Sequence, residues 1–479
     1  MKAVSIWFLL AVGSLMLAGC RGVPAPGENQ ARHDLGAVTR QYQPANHRAA
    51  LLELTPDSSL SNFLAYALLN SPSVEAAFYD WSASVENITV TRSLPDPQLT
   101  FQAYIQNVIT SLMPGLAWNF PGPGKLKARG RVAGAESQDK YFAFESAVLQ
   151  TAFNLKRAYY ELGLLHEQLR LKREVLSLLE NQERAVRAQN VAGTAALPDL
   201  LRVQSERDRV RAELANLEDS RRPLLENFKA ALGLAPGQTD PPTPAHFETD
   251  VENIDADELL RLAFAQNPQL KAMEADVRAA EAGIAVAYKE HVPDFSAALM
   301  ADVKASPWLY WPQLSMSLPI WRDKIAAEVA QAKANELAAR SRLKAGQIDL
   351  AVSFAEKLFA CRETGRNLAL LENELIPKAN QSLETIRAGY QAGTMDFSSL
   401  TDAERALLDL KLEAAGARTD HEIALADLSL MVAGLPPANA PVLRNHPLDK
   451  PRSSPAMRDE SAPSQIESQS RLTSAATQN

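Results

Sequence analysis

Four short stretches of the chain alternate apolar and polar residues with a period of two. The first pair covers residues 98–106 and 116–120, and the second pair covers 295–303 and 313–318. This period predicts β-strands with one apolar and one polar face, and stretches of this kind suit strands that cross a membrane within a β-barrel. A soluble hairpin half-buried on a domain would show the same alternation, so the pattern alone leaves both structures open.

Aromatic residues cluster at or beside these stretches. They are Trp118, Trp308, Tyr310, Trp311 and Trp321. Amphipathic aromatic side chains gather where a membrane meets water. We therefore expect a membrane-embedded sheet with aromatic side chains at its rims.

Long proline-free segments with an apolar residue every three or four positions follow each strand pair. One runs from Lys125 to Asn190 and the other from Lys324 to Ile376. Helices this long are typical of coiled coils, and sixty-odd helical residues span roughly 100 Å. We expect Pro377 to kink the second helix.

The chain is an internal duplication, because motifs recur about 200 residues apart. Ala192-Gly193-Thr194 returns as Ala392-Gly393-Thr394, and Leu94-Pro95-Asp96 returns as Val292-Pro293-Asp294. Each copy predicts helix, strand, strand, long helix, helix, which gives a mainly α protein with four strands per chain. About eight strands are the minimum for a barrel, and lipid does not tolerate an open sheet edge. Membrane strands would therefore require association, and three chains would form a twelve-stranded barrel that the helices continue as a periplasmic tunnel.

The first twenty residues predict secretion. Met1 and Lys2 precede an apolar run over residues 3–17, as in a signal peptide. Leu17-Ala18-Gly19-Cys20 resembles the bacterial lipobox, which implies cleavage before Cys20 and a covalent lipid on its thiol. Arg21 follows the cysteine, which by the same resemblance favours sorting to the outer membrane. An ordinary signal with an incidental cysteine is the alternative.

These features divide the chain into six segments. We predict a signal peptide (1–19), a lipid anchor with an extended N-terminal segment (20–56), a first repeat (57–235), a linker (236–254), a second repeat (255–435) and a disordered C-terminal tail (436–479). The tail is rich in Ser, Pro, Gln and charged residues, a composition that buries too little apolar surface to fold.

Catalytic patterns are sparse, and we predict that the protein is not an enzyme and holds no cofactor or metal beyond the lipid on Cys20. The sequence has no Gly-rich phosphate loop, no metal-spaced Cys/His cluster and no Gly-x-Ser-x-Gly. The net charge is −8, with no basic stretch suited to nucleic acid. We interpret His421 as a hydrogen-bonded packing residue and Cys361 as a small buried hydrophobe.

The chain resembles the TolC-like outer-membrane efflux family from about Ser59 to Leu435. The residues that carry the resemblance are the helix starts at Asn70 and Asn267, Leu94 to Pro97, Phe120 to Lys125, and Ala-Gly-Thr-x5-Leu at 192–200 and 392–400. With the lipobox the chain resembles the lipoprotein branch, and its Pro-Gly-Lys at 123–125 resembles the heavy-metal cation efflux members.

The resemblance implies a homotrimeric, passive exit duct of a tripartite efflux system, joined to an inner-membrane transporter by a periplasmic adaptor. It implies adaptor contacts at the hairpin tips, which are Gly193, Thr194, Gly393 and Thr394. It also implies an acidic gate at Asp402, with Asp396 nearer the tip and Ser399 where the family has a second acid. A periplasmic coiled-coil adaptor or a structural lipoprotein is the alternative, and the cargo (metal ion, drug or other small molecule) stays open.

Overall fold

The computed structural model describes residues 24–25, 27–42, 53–105, 109–244, 247 and 256–432. The predicted signal peptide (1–19), the predicted lipidation site Cys20 and the predicted tail (436–479) lie outside the described residues.

The described elements repeat in the order that the duplication predicts, with one more helix before the strands of each copy and with the second long helix divided in two. The helices are α1 (Glu28–Tyr42), α2 (Leu60–Asn70), α3 (Pro72–Arg92), α4 (Lys125–Val191), α5 (Leu197–Ala231), α6 (Ala256–Gln266), α7 (Pro268–Lys289), α8 (Arg322–Leu370), α9 (Ile376–Gln391) and α10 (Phe397–Met431). The strands are β1 (Gln98–Ile105), β2 (Ile109–Phe120), β3 (Phe295–Asp302) and β4 (Leu309–Met316). A π-helical segment, Leu371–Leu375, joins α8 to α9. None of the described helices has an apolar stretch long enough to cross a membrane.

The second helix of each copy, α3 or α7, begins with the same chemistry. Asn267 caps α7 through its side-chain oxygen, and its amide nitrogen lies 3.2 Å from the Met431 carbonyl at the end of the same copy. In the first copy these two tasks are divided between neighbours. Ser71 caps α3, while the Asn70 amide donates to the Leu232 carbonyl at 2.9 Å. The start of each copy is therefore tied to its end.

Proline interrupts the second long helix as its chemistry requires. Pro377 has no N–H to donate to the preceding turn, so regular α-helical bonding cannot pass through it. The structure has the π-helical segment Leu371–Leu375, which ends two positions before Pro377. The counterpart α4 continues for 67 residues, about 100 Å.

The prediction of an extended segment at 20–56 is wrong for residues 28–42, which form α1. The prolines behind that prediction, Pro24, Pro26 and Pro44, flank this helix and do not interrupt it. Val38 and Tyr42 of α1 are buried against Phe78 and Trp81 of α3. Tertiary packing of one helix face therefore outweighs the irregular composition around it.

The helices and the strands are laid out side by side in the same order. Helix α3 packs on α4, α4 on α7, and α7 on α8, while the sheet runs β1-β2-β3-β4. Helix α5 lies along α4, and α10 packs against both α4 and α8. Each copy has its own buried core, around Tyr159 and Phe228 in the first and around Phe354 and Leu428 in the second.

Candidate functional site

The four strands form one antiparallel sheet whose register separates an apolar face from a polar one. Residues directly opposite each other share a face. One row of paired residues consists of Leu99, Leu116, Leu299 and Pro312, and the next row on the opposite face consists of Gln98, Ala117, Ala298 and Gln313. The alternation predicted from the sequence is confirmed, although β2 begins at Ile109 rather than at residue 116 and β4 covers 309–316 rather than 313–318.

The apolar face is bare in the single chain. Leu99, Phe101 and Leu314 are 65%, 70% and 79% exposed. A hairpin half-buried on a soluble domain would cover such a face, because contiguous exposed apolar patches of this kind are rare in water. The face instead has the character of the lipid-facing side of a membrane strand.

The polar face is the hollow side of the sheet. A cavity of about 410 Å³ lies over it, and its lining includes Gln102, Asn119, Ser296 and Gln313. A sheet that closes into a barrel curves around its lumen. The polar residues therefore occupy the side that would face water inside a barrel.

The predicted aromatic residues divide between the two ends of the sheet. Trp118 is on the apolar face at the helix end, and Tyr310 is on the same face at the far end, beside the exposed Trp308. Trp321 is exposed just before α8. Trp311 pairs with Met300 on the polar face, so its assignment to a lipid-facing girdle is wrong.

A buried lysine joins the sheet to the helices. The Lys125 ammonium lies 3.0 Å from a carboxylate oxygen of Asp294 and 3.3 Å from Glu290 Oε2. The Gly122 N–H donates to Asp294 Oδ1 at 2.6 Å, and a Cβ at Gly122 would lie only 2.4 Å from the Pro293 carbonyl oxygen. Burial opposes the charge on Asp294, but the bonds from Gly122 and Lys125 lower the pKa of this carboxyl below its ordinary value. The β2–α4 turn of the first copy is thereby held against the α7–β3 turn of the second.

Both hairpin tips have the same turn. Gly193 and Gly393 have φ angles of 76° and 72°, in the left-handed region that favours glycine. Thr194 and Thr394 each donate their N–H and hydroxyl to one carbonyl of the preceding helix, at 2.8–3.0 Å. A Cβ at either glycine would meet nothing within 4 Å. All four residues shape the turn, and the space around both glycines is open.

Apolar side chains surround the tips without being buried. Val191 is 85% exposed, and Leu197 and Met395 are also exposed. Val191 ends α4, Leu197 begins α5, and Met395 lies in the turn between α9 and α10. The tips therefore combine an open backbone with uncovered apolar surface.

The three predicted gate residues do not form one cluster within the chain. Asp396 caps α10, where its carboxylate accepts the Ser399 N–H at 2.9 Å and the Ser399 hydroxyl. Those bonds, led by the hydroxyl, lower the pKa of Asp396. Asp402 lies further along the helix, and its side chain is exposed and makes no ion pair or hydrogen bond to any other described residue. Asp396 and Ser399 thus bond to each other in the helix cap, and of the three residues only Asp402 has a carboxylate free to face a pore.

One contact near the tips was missed from the sequence. Arg405 of α10 donates to Glu206 of α5 and so ties the second hairpin to the first. The two residues are 199 positions apart, and neither stands in a distinctive local motif.

The interior residues singled out from the sequence are structural. His421 Nδ1 lies 3.1 Å from the Thr364 hydroxyl, and burial lowers the pKa of His421. Cys361 is buried in the second-copy core. Within the part of the chain that the structure describes, no three His, Cys, Asp or Glu side chains are grouped so that they could hold a metal ion.

Comparison with known proteins identifies the fold. The chain is similar to a membrane protein from Pseudomonas aeruginosa (20% identity, TM-score 0.68, covering 79% of this chain and 91% of that one). It is similar to the Neisseria gonorrhoeae MtrE outer membrane channel, solved in its open state (18%, 0.67, 81% and 93%). It is also similar to CusC, whose structures concern folding and transmembrane channel formation (15%, 0.66, 82% and 96%). No curated protein sequence matches the chain.

The family model for outer membrane efflux proteins matches residues 64–234 and 259–434, which is well over half of the chain. The two matched stretches coincide with the two copies seen in the sequence and in the fold. The adaptor and structural-lipoprotein alternatives are thereby set aside. The chain belongs to the outer membrane efflux protein family and is an outer-membrane channel, the exit duct of an efflux system rather than an enzyme.

Proposed function

We propose that three copies of this chain close into a twelve-stranded barrel, which a helical tube continues into the periplasm. The observation that carries the proposal is the sheet, with its bare apolar face and two outer strands that pair on one side only among the described residues. Unpaired backbone groups in lipid cost several kcal/mol each, so β4 of one chain must pair with β1 of the next. An eight-stranded barrel is filled by its own side chains, whereas twelve strands leave room for a conduit.

The helix layer has open edges that match those of the sheet. On the outer edge of α8, Leu337, Ile348, Val352 and Phe359 are exposed at spacings of 11, 4 and 7 residues, which place them on one helix face. At the opposite edge, α3 exposes Tyr79 and Val90. Neighbouring copies that pair through their strands bring these two apolar surfaces together, so the same association buries both.

Asp402 is the gate residue in this account. Three copies place three Asp402 carboxylates around the periplasmic mouth, and a ring of carboxylates attracts cations and repels anions. Asp396 is a helix cap, so the ring is single. Single-channel recordings of Asp402→Asn in planar bilayers should show a reduced preference for cations, whereas Asp420→Asn, five turns further along α10, should match the wild type. Equal ion selectivity in the wild type and in Asp402→Asn would contradict the assignment of Asp402 as the gate residue.

The hairpin tips are the docking surface for a periplasmic adaptor in this account. Their support is the open backbone at Gly193 and Gly393 and the exposed Val191 beside them. A photo-crosslinking residue at Val191 should capture the adaptor protein in intact cells. The same residue at Gly237, which also has open space around it, should not. Capture from both positions, or from neither, would count against docking at the tips.

A lipid on Cys20 anchors the chain beside the barrel. Ala25 is buried against Ile88 and Ala133, close to the sheet end of α3 and α4. Cys20 stands five residues before Ala25, a reach of at most ~17 Å. Acyl chains at that distance enter the membrane next to the barrel wall and add to its attachment. Metabolic labelling with radioactive palmitate should mark the wild type and leave Cys20→Ala unlabelled, and label on both proteins would contradict the assignment.

A further inference from the structure

The junction between the two copies within a chain has a counterpart between chains. Inside one chain, the β2–α4 turn meets the α7–β3 turn through Lys125 and Asp294. In a ring of three chains, the turn between β4 and α8 meets the turn between α3 and β1 of the next chain. Six junctions then alternate around the ring, three within chains and three between them.

The duplication supplies both members of an equivalent ion pair. Pro293-Asp294 recurs as Pro95-Asp96, and Lys125-Leu126 recurs as Lys324-Ile325 in the first turn of α8. The counterparts of Lys125 and Asp294, which are Lys324 and Asp96, thus stand at the two open edges of the chain.

In the single chain these two side chains lack a strong partner. The Lys324 side chain is 71% exposed, and its contact is a Glu328 oxygen 3.7 Å away on its own helix. Asp96 is exposed and has no hydrogen bond or ion pair with any other residue in the described ranges. The pair within the chain is different, because Lys125 is buried.

We propose that Lys324 of one protomer pairs with Asp96 of the next and fixes the register between them where the barrel meets the helical tube. The partner is a second copy of this chain, and the inference rests on the proposed trimer. An exposed ion pair contributes little to stability, so its role is alignment rather than adhesion.

The two kinds of junction differ in width. Within the chain, Gly122 lets the facing backbones touch, since any Cβ there would overlap Pro293. Its counterpart before α8 is Trp321, which is exposed together with Ile320. On the facing edge, Leu94 is also exposed. The junction between chains is therefore wider, with Trp321 packed on Leu94 and the long Lys324 side chain reaching across to Asp96.

Bismaleimide crosslinking of paired cysteines tests this contact. The variant Asp96→Cys with Lys324→Cys, in a Cys361→Ser background, should give linked dimers and trimers on a denaturing gel. Their yield should exceed that of either single-cysteine variant by on the order of ten-fold. Asp96→Cys with Lys304→Cys, at the far end of the sheet, is the matched control and should stay monomeric.

Charge exchange provides a second readout. Asp96→Lys or Lys324→Asp alone should lower the temperature at which the trimer dissociates in detergent, and the double exchange should restore it. If the wild type is a trimer but Asp96→Cys with Lys324→Cys gives no crosslink, this pairing is overturned and the proposed trimer stands. A wild-type monomer overturns the proposed function itself, so the two failures are distinguishable.

Discussion

One buried carboxylate, Glu28, adds to the apolar packing that holds helix α1 in place, and removal of its charge should weaken the docking of the helix. Glu28 is 2% exposed and accepts hydrogen bonds from both Arg92 nitrogens that face it, from the Thr89 hydroxyl and from the Ala25 N–H. Arg32 on the next turn of α1 also contacts Glu28. The substitution Glu28→Gln keeps the shape of the side chain but removes its charge and turns one acceptor into a donor.

The cost of that substitution follows from the titration of the group. The hydrogen bond from Arg92, with help from Ala25 and Thr89, lowers the pKa of Glu28 from 4.5 to about 2. Each pKa unit is worth about 1.4 kcal/mol, so neutral Glu28 weakens the docking of α1 by about 3 kcal/mol. That value agrees in size with the loss of one partner from a buried ion pair, which costs roughly 3–5 kcal/mol.

Hydrogen–deuterium exchange of the detergent-solubilised protein measures this loss directly. In Glu28→Gln the amides of α1 should exchange ~100-fold faster, because about 3 kcal/mol is removed from the free energy of local opening. The amides of α4 should be unchanged. Glu86→Gln is the control, since it also faces Arg32 but is exposed, and exposed pairs contribute less than about 1 kcal/mol.

The pH dependence gives an internal check with a fixed sign. The pKa of Glu28 is lower in the folded chain than its ordinary value of 4.5, so its stabilisation is complete above that pH. It is lost as the pH falls from 4.5 towards 2. After correction for intrinsic exchange rates, the amides of α1 in the wild type should lose protection in this pH range. In Glu28→Gln they should exchange at the faster rate at every pH. Equal protection of α1 in both proteins at neutral pH would refute the reasoning.

Two further predictions concern backbone geometry and the tip region. Gly233→Ala should lower the melting temperature more than Gly393→Ala. Both glycines have a positive φ, but a Cβ at Gly233 would also lie 2.4 Å from the Asn70 carbonyl oxygen, whereas a Cβ at Gly393 would meet no atom within 4 Å. Equal shifts of the melting temperature would contradict this reasoning. Arg405→Ala removes the ion pair with Glu206, and a partly exposed pair of this kind contributes less than about 1 kcal/mol. Amide exchange at the start of α10 should therefore rise by no more than roughly five-fold. A larger rise would contradict this assignment, because the pair would then stabilise the tip more than its exposure allows.

Periodic patterns predicted the repeated architecture well because they depend on local geometry. The alternation over residues 98–106 and 295–303 was sufficient to place two strands and assign their faces, since successive strand side chains point to opposite sides. The tip turns were also predictable, because Gly193 and Gly393 stand where only a left-handed residue ends the helix.

Features that depend on contacts between distant residues were missed. Helix α1 is held by apolar packing on α3 and by Glu28, whose partner Arg92 lies 64 residues away. The Trp311 assignment failed because a strand residue and its neighbour face opposite sides, and aromatic identity alone does not say which. The gate prediction grouped Asp396 with Asp402, although the Asp-x-x-Ser spacing of Asp396 and Ser399 is also that of a helix cap.

The native mass of the detergent-extracted wild-type protein tests the central claim most directly. A four-stranded sheet with a bare apolar face and two open edges has to be completed by other copies before it can line a channel. We predict a stable particle that contains three chains. A particle that contains one folded chain would show that these four strands do not span a membrane together with those of other copies, and would contradict the account.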